Sequence, residues 1–266
     1  MNILFIGAGK MATALAGGIA RGKLFPNDRL DAVDPLPAAR EAFTAATGVE
    51  AHPEATQALV AQADVIVLAV KPQVAQATVA GLPQRKDGVL VVSICAGIPL
   101  AKLRSWLGDV RLVRVMPNTP LLVGKGASCY ALSREDDADA DAFAAKVLGS
   151  LGKAWRVPEE KLDAVTALSG SGQAYFFAFI EALREGGEKL GLEAELAEQL
   201  AVQTMAGATE MLLQKKGTPS ELRIAVTSKG GTTAAALDAM ARRDFNGMVA
   251  ELLTAARDRS VELGKN

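Results

Sequence analysis

Two glycine-rich turns, one near each end of this 266-residue chain, carry the residue types that hold anions. The later one is Thr227-Ser228-Lys229-Gly230-Gly231-Thr232-Thr233, ahead of Ala-Ala-Ala-Leu, where one helix stops and another starts. A helix N-terminus offers unpaired N–H groups and positive dipole potential, which suits a carboxylate or a phosphate. Glycine lets such a ligand approach the backbone, because no Cβ intervenes. Alone, the run reads equally as a plain turn with Thr232 or Thr233 as the N-cap. The earlier turn, Gly7-Ala8-Gly9-Lys10-Met11-Ala12, shifts the balance. It follows the apolar run Ile3-Leu4-Phe5-Ile6, which reads as a buried parallel strand, and it opens a helix over residues 11–21. In the order strand, G-x-G-x-x-A, helix, the first glycine makes the tight turn and the second admits a pyrophosphate to the helix N-terminus. The small Ala12 lets helix and strand pack closely.

Composition narrows the chemistry. His52 is the only histidine, and it falls in the loop-like Ala51-His52-Pro53-Glu54, a poor place for a general acid. Mechanisms that need histidine as acid, base or metal ligand are therefore disfavoured, and no metal site is expected. Cys95 and Cys129 lie in apolar, strand-like surroundings and make neither a disulfide framework nor a metal site. The net charge of −1, without a basic tract, gives nucleic-acid binding no support. No apolar run approaches the length of a membrane span, and the opening residues lack the basic region of a secretory leader, so the expected compartment is the cytosol.

The first half must place these turns. After the opening unit, residues 29–33 read as a strand ending at Asp34-Pro35, residues 37–47 as a helix and 48–50 as a short strand. Residues 64–70 are almost wholly apolar, as a central parallel strand should be, 88–94 and 111–115 read as two more such strands, and 127–132 and 153–157 as further strands around a helix over 136–151. Alternation of this kind predicts a doubly wound parallel sheet. Ligands on such sheets bind beyond the carboxyl ends of the strands, so Gly7–Ala12, Lys71-Pro72, Cys95-Ala96-Gly97 and Pro117-Asn118-Thr119 are expected to line one crevice. Asp34 stands where an acidic residue would bind the ribose 2′-hydroxyl of NAD and repel a 2′-phosphate, which favours NAD. Arg40 could compensate, or be a solvated helix residue; the cofactor choice stays open.

From residue 160 the strand signal disappears. Residues 162–190, 193–215, 220–227, 233–243 and 245–263 read as helices, which puts a domain boundary at 157/158 and gives domains of 1–157 and 158–266. The first two helices are apolar on more than one face, as at Leu168, Phe176, Phe177, Phe179 and Ile180, and a domain of this size hardly covers them; an interlocked homodimer is expected. Ser169-Gly170-Ser171-Gly172 interrupts the first of these helices, and two glycines there imply that another helix, or the nicotinamide end of a cofactor, approaches the backbone.

Taken together, these segments resemble the Δ1-pyrroline-5-carboxylate reductases, the last enzymes of proline biosynthesis. The resemblance runs nearly end to end. It rests on Phe5-Ile6-Gly7-Ala8-Gly9-Lys10-Met11, Ala69-Val70-Lys71-Pro72, Arg114-Val115-Met116-Pro117-Asn118-Thr119-Pro120, the run from Asp163 to Gly172, and Val226 to Thr233. It implies an α/β fold, a Rossmann-like doubly wound sheet followed by an all-helical dimerisation domain, often assembled into decamers. It implies an NAD(P)H-dependent oxidoreductase, with NADPH favoured against the hint from Asp34. By position, the cofactor would contact Ile6, Gly7, Ala8, Gly9, Lys10 and Met11, with Asp34, then Ala69, Val70, Lys71 and Pro72, then Cys95, Ala96 and Gly97. The substrate carboxylate would be gripped by Ser228, Gly230, Gly231, Thr232 and Thr233, with Ser228 and Thr233 the catalytic pair and the Thr233 hydroxyl near the ring nitrogen. The chain departs from the family pattern at Gln173 and Lys229, where proline is common, and at Ala225, where some members have asparagine.

This chemistry suits a chain poor in histidine. Reducing a cyclic imine needs a hydride at carbon and a proton at nitrogen; an iminium is already electrophilic, so positioning and charge complementarity can carry the work. Two other readings compete. A β-hydroxyacid dehydrogenase or related imine reductase shares the layout but usually carries a catalytic lysine in a glycine-rich helix of its second domain, and residues 169–181 hold none. A catalytically silent dinucleotide binder would have little need of both intact turns.

Overall fold

The computed structural model describes residues 1–25, 27 and 29–265. Pro26, Asp28 and Asn266, which fall inside the two expected domains, lie outside the described residues. The opening apolar run forms β1 (Asn2–Ile6), whose Ile3 and Phe5 enter one core while Leu4 and Ile6 enter the other. Successive strand side chains point to opposite faces, so a strand covered on both sides has to be apolar throughout. The remaining strands are β2 (Arg29–Val33), β3 (Glu50–His52), β4 (Val65–Leu68), β5 (Leu90–Ser93), β6 (Arg111–Met116), β7 (Gly126–Leu132) and β8 (Gly152–Arg156). They make one sheet in the order β3-β2-β1-β4-β5-β6-β7-β8. The order reverses between β1 and β4, which is the ligand-binding switch point of a doubly wound sheet.

Helices cover both faces. On one side lie α1 (Lys10–Gly22), α2 (Pro37–Thr47) and α6 (Ala138–Gly149), which contribute Leu15, Ile19, Phe43 and Phe143 to the core. On the other lie α3 (Gln57–Gln62), α4 (Pro72–Ala80) and α5 (Leu100–Leu107), with Val60, Val79 and Leu103. Phe5, Phe43 and Leu103 are fully buried, each contributing about 1.5–3 kcal/mol relative to exposure.

Three expectations need correction. The sheet is parallel from β3 through β6, but β7 pairs antiparallel with β6. A parallel neighbour needs a crossover of a dozen or more residues, and between Met116 and Gly126 the chain makes only the 3-10 turn Thr119–Val123, so it must return antiparallel. His52 belongs to edge strand β3, opposite Val33, and not to a loop. It is half-buried, with Nε2 3.2 Å from Asp31 Oδ1 and Nδ1 3.6 Å from Glu50 Oε1, and Arg29 Nε donates to the other Asp31 oxygen at 2.8 Å. The single helix expected over 162–190 is three pieces: α7 (Leu162–Val165), a π-helical turn Thr166–Gly170, and α8 (Gly172–Lys189).

Packing groups Met1–Ser171 with the chain from Ala255 onward as one unit, and Gly172–Thr254 as a second. In the second unit, α8 and α9 (Ala194–Leu213) pack as a hairpin turned at Gly191, which takes a φ of +92° open to glycine. Next come α10 (Pro219–Ala225), α11 (Thr232–Arg242) and the start of α12 (Phe245–Lys265). Thr218 and Glu221 close α10 with reciprocal side-chain-to-backbone bonds. Phe176 and Phe177 on α8 are about three-fifths exposed, and Leu200 and Met248 are similarly bare.

Candidate active site

The cofactor half is built at the carboxyl ends of β1, β2, β4 and β5. Gly7 takes a φ of +105°, its N–H donates to Val33 O at 2.8 Å, and a Cβ there would stand 2.6 Å from Ala69 O. Only glycine allows this turn to lie directly against the β4 end. Ala69 N–H in turn donates to Ile6 O at 2.8 Å, which joins the Gly7 and Ala69–Pro72 segments. Gly9 caps α1 with no side-chain hydrogen bond, the first turn of α1 carries no acidic residue, and a Cβ on Gly9 would meet nothing within 4 Å. The space over the α1 N-terminus therefore fits a pyrophosphate. Ala12 is fully buried, as close helix-strand packing requires. Lys10 is exposed and Met11 half-buried.

Asp34 is occupied by the main chain. Its Oδ2 accepts from Ala8 N–H at 3.0 Å and its Oδ1 from Leu36 N–H at 2.9 Å. Arg40 is no free surface residue: its Nη1 donates to Asp34 O at 2.8 Å and to Pro35 O at 3.0 Å, which holds a guanidinium over the turn after β2.

Cys95 and Gly97 are buried, so they would offer a cofactor shape and main chain and not side chains. The Cys95 thiol, 3.3 Å from Val70 O, ties the β5 end to the β4 end; burial pushes its pKa up to about 11 and leaves it protonated and unreactive. Gly97 takes a φ of +76°, and a Cβ there would press on Leu263 Cβ at 3.1 Å and Ser260 O at 3.2 Å, in the end of α12.

In the second unit, Ser228, Gly230, Gly231, Thr232 and Thr233 make one continuous turn into α11. Gly230 has a φ of +72°, and Gly231 N–H donates to Ser228 O at 3.0 Å. Gly231 is the N-cap, with no side-chain cap bond and no acidic residue in the first turn of α11, so the free N–H groups of that turn are left to an anion. Ser228 and Thr232 are exposed and Thr233 half-buried.

Two buried polar residues on and just past β6 make further contacts. Arg114 on β6 is buried, with Nη1 3.0 Å from Glu159 Oε1 and Nη2 3.4 Å from Asp163 Oδ1, and Ser260 Oγ donates to the same Asp163 oxygen at 2.7 Å. Asn118, just past β6, is also buried: its Oδ1 accepts from Ala127 N–H at 2.9 Å and its Nδ2 donates to Ser169 O at 3.1 Å. Asn118 belongs to the Pro117-Asn118-Thr119 strand end expected at the crevice, whereas Arg114 carries no sequence signal beyond its place in the Arg114–Pro120 segment.

The comparisons with known proteins agree end to end. The pyrroline-5-carboxylate reductase of Pseudomonas aeruginosa is 44% identical, over 99% of this chain and 97% of its own length. The chain belongs to the pyrroline-5-carboxylate reductase family. Residues 159–263 match the family described as pyrroline-5-carboxylate reductase dimerisation, and residues 2–97 the one described as NADP oxidoreductase coenzyme F420-dependent. Among solved pyrroline-5-carboxylate reductases, that of Coxiella burnetii superposes with a TM-score of 0.88 at 34% identity, covering 100% of this chain and 99% of its own. The Plasmodium falciparum enzyme, solved with NADP bound, gives 0.87 at 30%, covering 99% and 98%.

Proposed function

We infer that the chain reduces the cyclic imine Δ1-pyrroline-5-carboxylate to proline with NADPH, the closing step of proline biosynthesis. The observation that carries this reading is the open N-terminus of α11, a seat for one carboxylate with hydroxyls on either side, in a family member that also keeps the dinucleotide turn. The main chain from Gly230 to Thr233 and the Ser228 hydroxyl bind the substrate carboxylate. The anion neutralises the helix terminus and sets the ring's orientation. Thr233, in the first turn, directs its hydroxyl to the ring nitrogen; a threonine is a weak acid, so it orients that nitrogen and relays a proton. The cofactor supplies the hydride. Gly7, Ala8, Gly9, Lys10, Met11 and the Ala69–Pro72 segment hold it, with Cys95–Gly97 closing the floor.

The geometry of Asp34 favours NADPH over NADH. Each carboxylate oxygen accepts a main-chain N–H, which offsets part of the negative charge that a 2′-phosphate would meet. Arg40 brings a positive charge to the same turn, suited to a 2′-phosphate. The region from residue 158 serves substrate binding and self-association: the dimerisation match and the bare phenylalanines of α8 support a homodimer, and the family's habit extends this to a decamer. No described helix is long and apolar enough to cross a membrane, the net charge gives nucleic acid no purchase, and the reading places the protein in the cytosol.

The test mixes purified protein with Δ1-pyrroline-5-carboxylate and follows NADPH and NADH consumption in parallel. Turnover faster with NADPH is expected. No turnover with either cofactor, in folded protein that binds them, overturns the reading.

A further inference from the structure

The π-helical turn is held by contacts from the end of β6. Ser171 N–H donates to Thr166 O at 2.8 Å, the wide bond that defines the turn. Its outer carbonyl, Ser169 O, takes the Asn118 carboxamide, and a Cβ at Gly170 would overlap Met116 Cε. Met116 ends β6 and Asn118 follows it, so the widened turn is pressed onto the carboxyl end of that strand. Such widenings are rare in helices and concentrate at functional sites. A dinucleotide seated on the β1 turn runs along the carboxyl edge of a doubly wound sheet, and its nicotinamide end falls on the side of β4 and the strands beyond. The turn stands on that side, next after the Ala69–Pro72 and Cys95–Gly97 segments in strand order.

We propose that Asn118 is a positioning residue for hydride transfer. Its carboxamide is doubly committed, accepting from Ala127 N–H and donating to Ser169 O, and so fixes the widened turn as the wall against which the nicotinamide end is held. Two properties point to Asn118 in particular. Only a side chain that is donor and acceptor at once can bridge an N–H and a carbonyl. Its burial means that a wrong replacement leaves a polar group facing a like one with no water to intervene. The role rests on the reductase reading above and adds a residue that never touches the substrate.

The test uses full-length Asn118→Asp and Gly170→Ala, with the unaltered protein in parallel. The aspartate keeps the acceptor towards Ala127 but, ionised, presents an oxygen to the Ser169 carbonyl; protonated, it regains the donor. Expected is a kcat ten- to a hundredfold below the unaltered protein at about pH 8, with the NADPH Kd within about threefold. The ratio of variant to unaltered kcat should then climb as pH falls, because burial and the facing carbonyl raise the new carboxyl's pKa. In Gly170→Ala the methyl displaces the turn from Met116, so kcat falls although alanine favours the helix; Met116→Ala in the same chain makes room and restores it. The proposal is overturned if both variants keep kcat. It is equally overturned if the loss resides in Tm or NADPH affinity with a pH-independent ratio and no rescue by Met116→Ala. Absence of turnover by the unaltered protein overturns the reductase reading, and this one with it.

Discussion

A methyl group at Gly231 tests the carboxylate cradle most directly. The backbone there (φ −78°, ψ 172°) is open to any residue, so Gly231→Ala introduces no backbone strain. The new Cβ would overlap Ser228 Oγ and stand 3.2 Å from Ser228 O. The carbonyl is fixed by its bond to Gly231 N–H, whereas the hydroxyl can rotate, so the methyl expels the hydroxyl from the cradle. A hydrogen bond to a charged group contributes about 1.5–3 kcal/mol, so kcat/KM for the imine should fall roughly ten- to 150-fold. Ser228→Ala should fall by a similar factor, and the double variant should be hardly worse than either, because both remove the same contact. The assay is steady-state reduction of Δ1-pyrroline-5-carboxylate at saturating NADPH, with the NADPH Kd read from its fluorescence. Multiplicative losses in the double variant, or a parallel loss of NADPH affinity, would refute the reasoning.

Thr233→Ala should lower kcat by roughly ten- to a thousandfold with a smaller change in KM, the scale of a positioned proton-transfer group; an unchanged kcat removes the role. Gly7→Ala forces a side chain into a φ of +105° and against Ala69 O, so thermal unfolding should show a loss of about 2–5 kcal/mol together with weakened NADPH binding, and an unchanged Tm contradicts the geometry. Asp137 caps α6 through Ala140 N–H and takes Arg111 on both oxygens, at 2.7 and 2.5 Å, and the guanidinium holds its carboxyl below the usual 3.8. That contribution is present above 3.8 and is lost as pH falls through the lower folded value. Asp137→Asn, which keeps the cap, should therefore be about 1–3 kcal/mol less stable in urea at pH 7, at fixed protomer concentration, with the deficit shrinking below pH 3.8; a constant deficit argues against the ion pair.

What could be read from the chain alone follows the range of the interactions involved. The Gly7 turn, the apolar strands and the helix ends are local patterns, and the structure realises them within a residue or two. The direction of β7 is set by the length of the link before it, and strand periodicity carries no direction. His52 pairs with Val33 across an edge, and a two-residue continuation of a short strand leaves little pattern. The widened turn at Thr166–Gly170 was marked by its glycines, but its form depends on Met116 and Asn118, far back in the chain. Arg114 reads as a break in an apolar strand until Glu159, Asp163 and Ser260 are brought to it. The Ser228–Thr233 turn was legible as a candidate anion seat, because a helix terminus offers main-chain groups whatever lies far off in the chain.

The packing of the last turns of α12 on Gly97 has a bearing on biosynthesis. A Cβ on Gly264 would lie 2.5 Å from Gly97 O, and Ser260 closes the Asp163 cluster from the same helix. The nucleotide-binding unit is therefore discontinuous along the chain. While the polypeptide is still threaded through the ribosome, its first 171 residues can assemble a sheet, but the backside of the Cys95–Gly97 loop stays uncovered. The unit that is translated first is thus among the last to be finished, and a nascent chain arrested before Ala255 should hold NADPH poorly however long it waits.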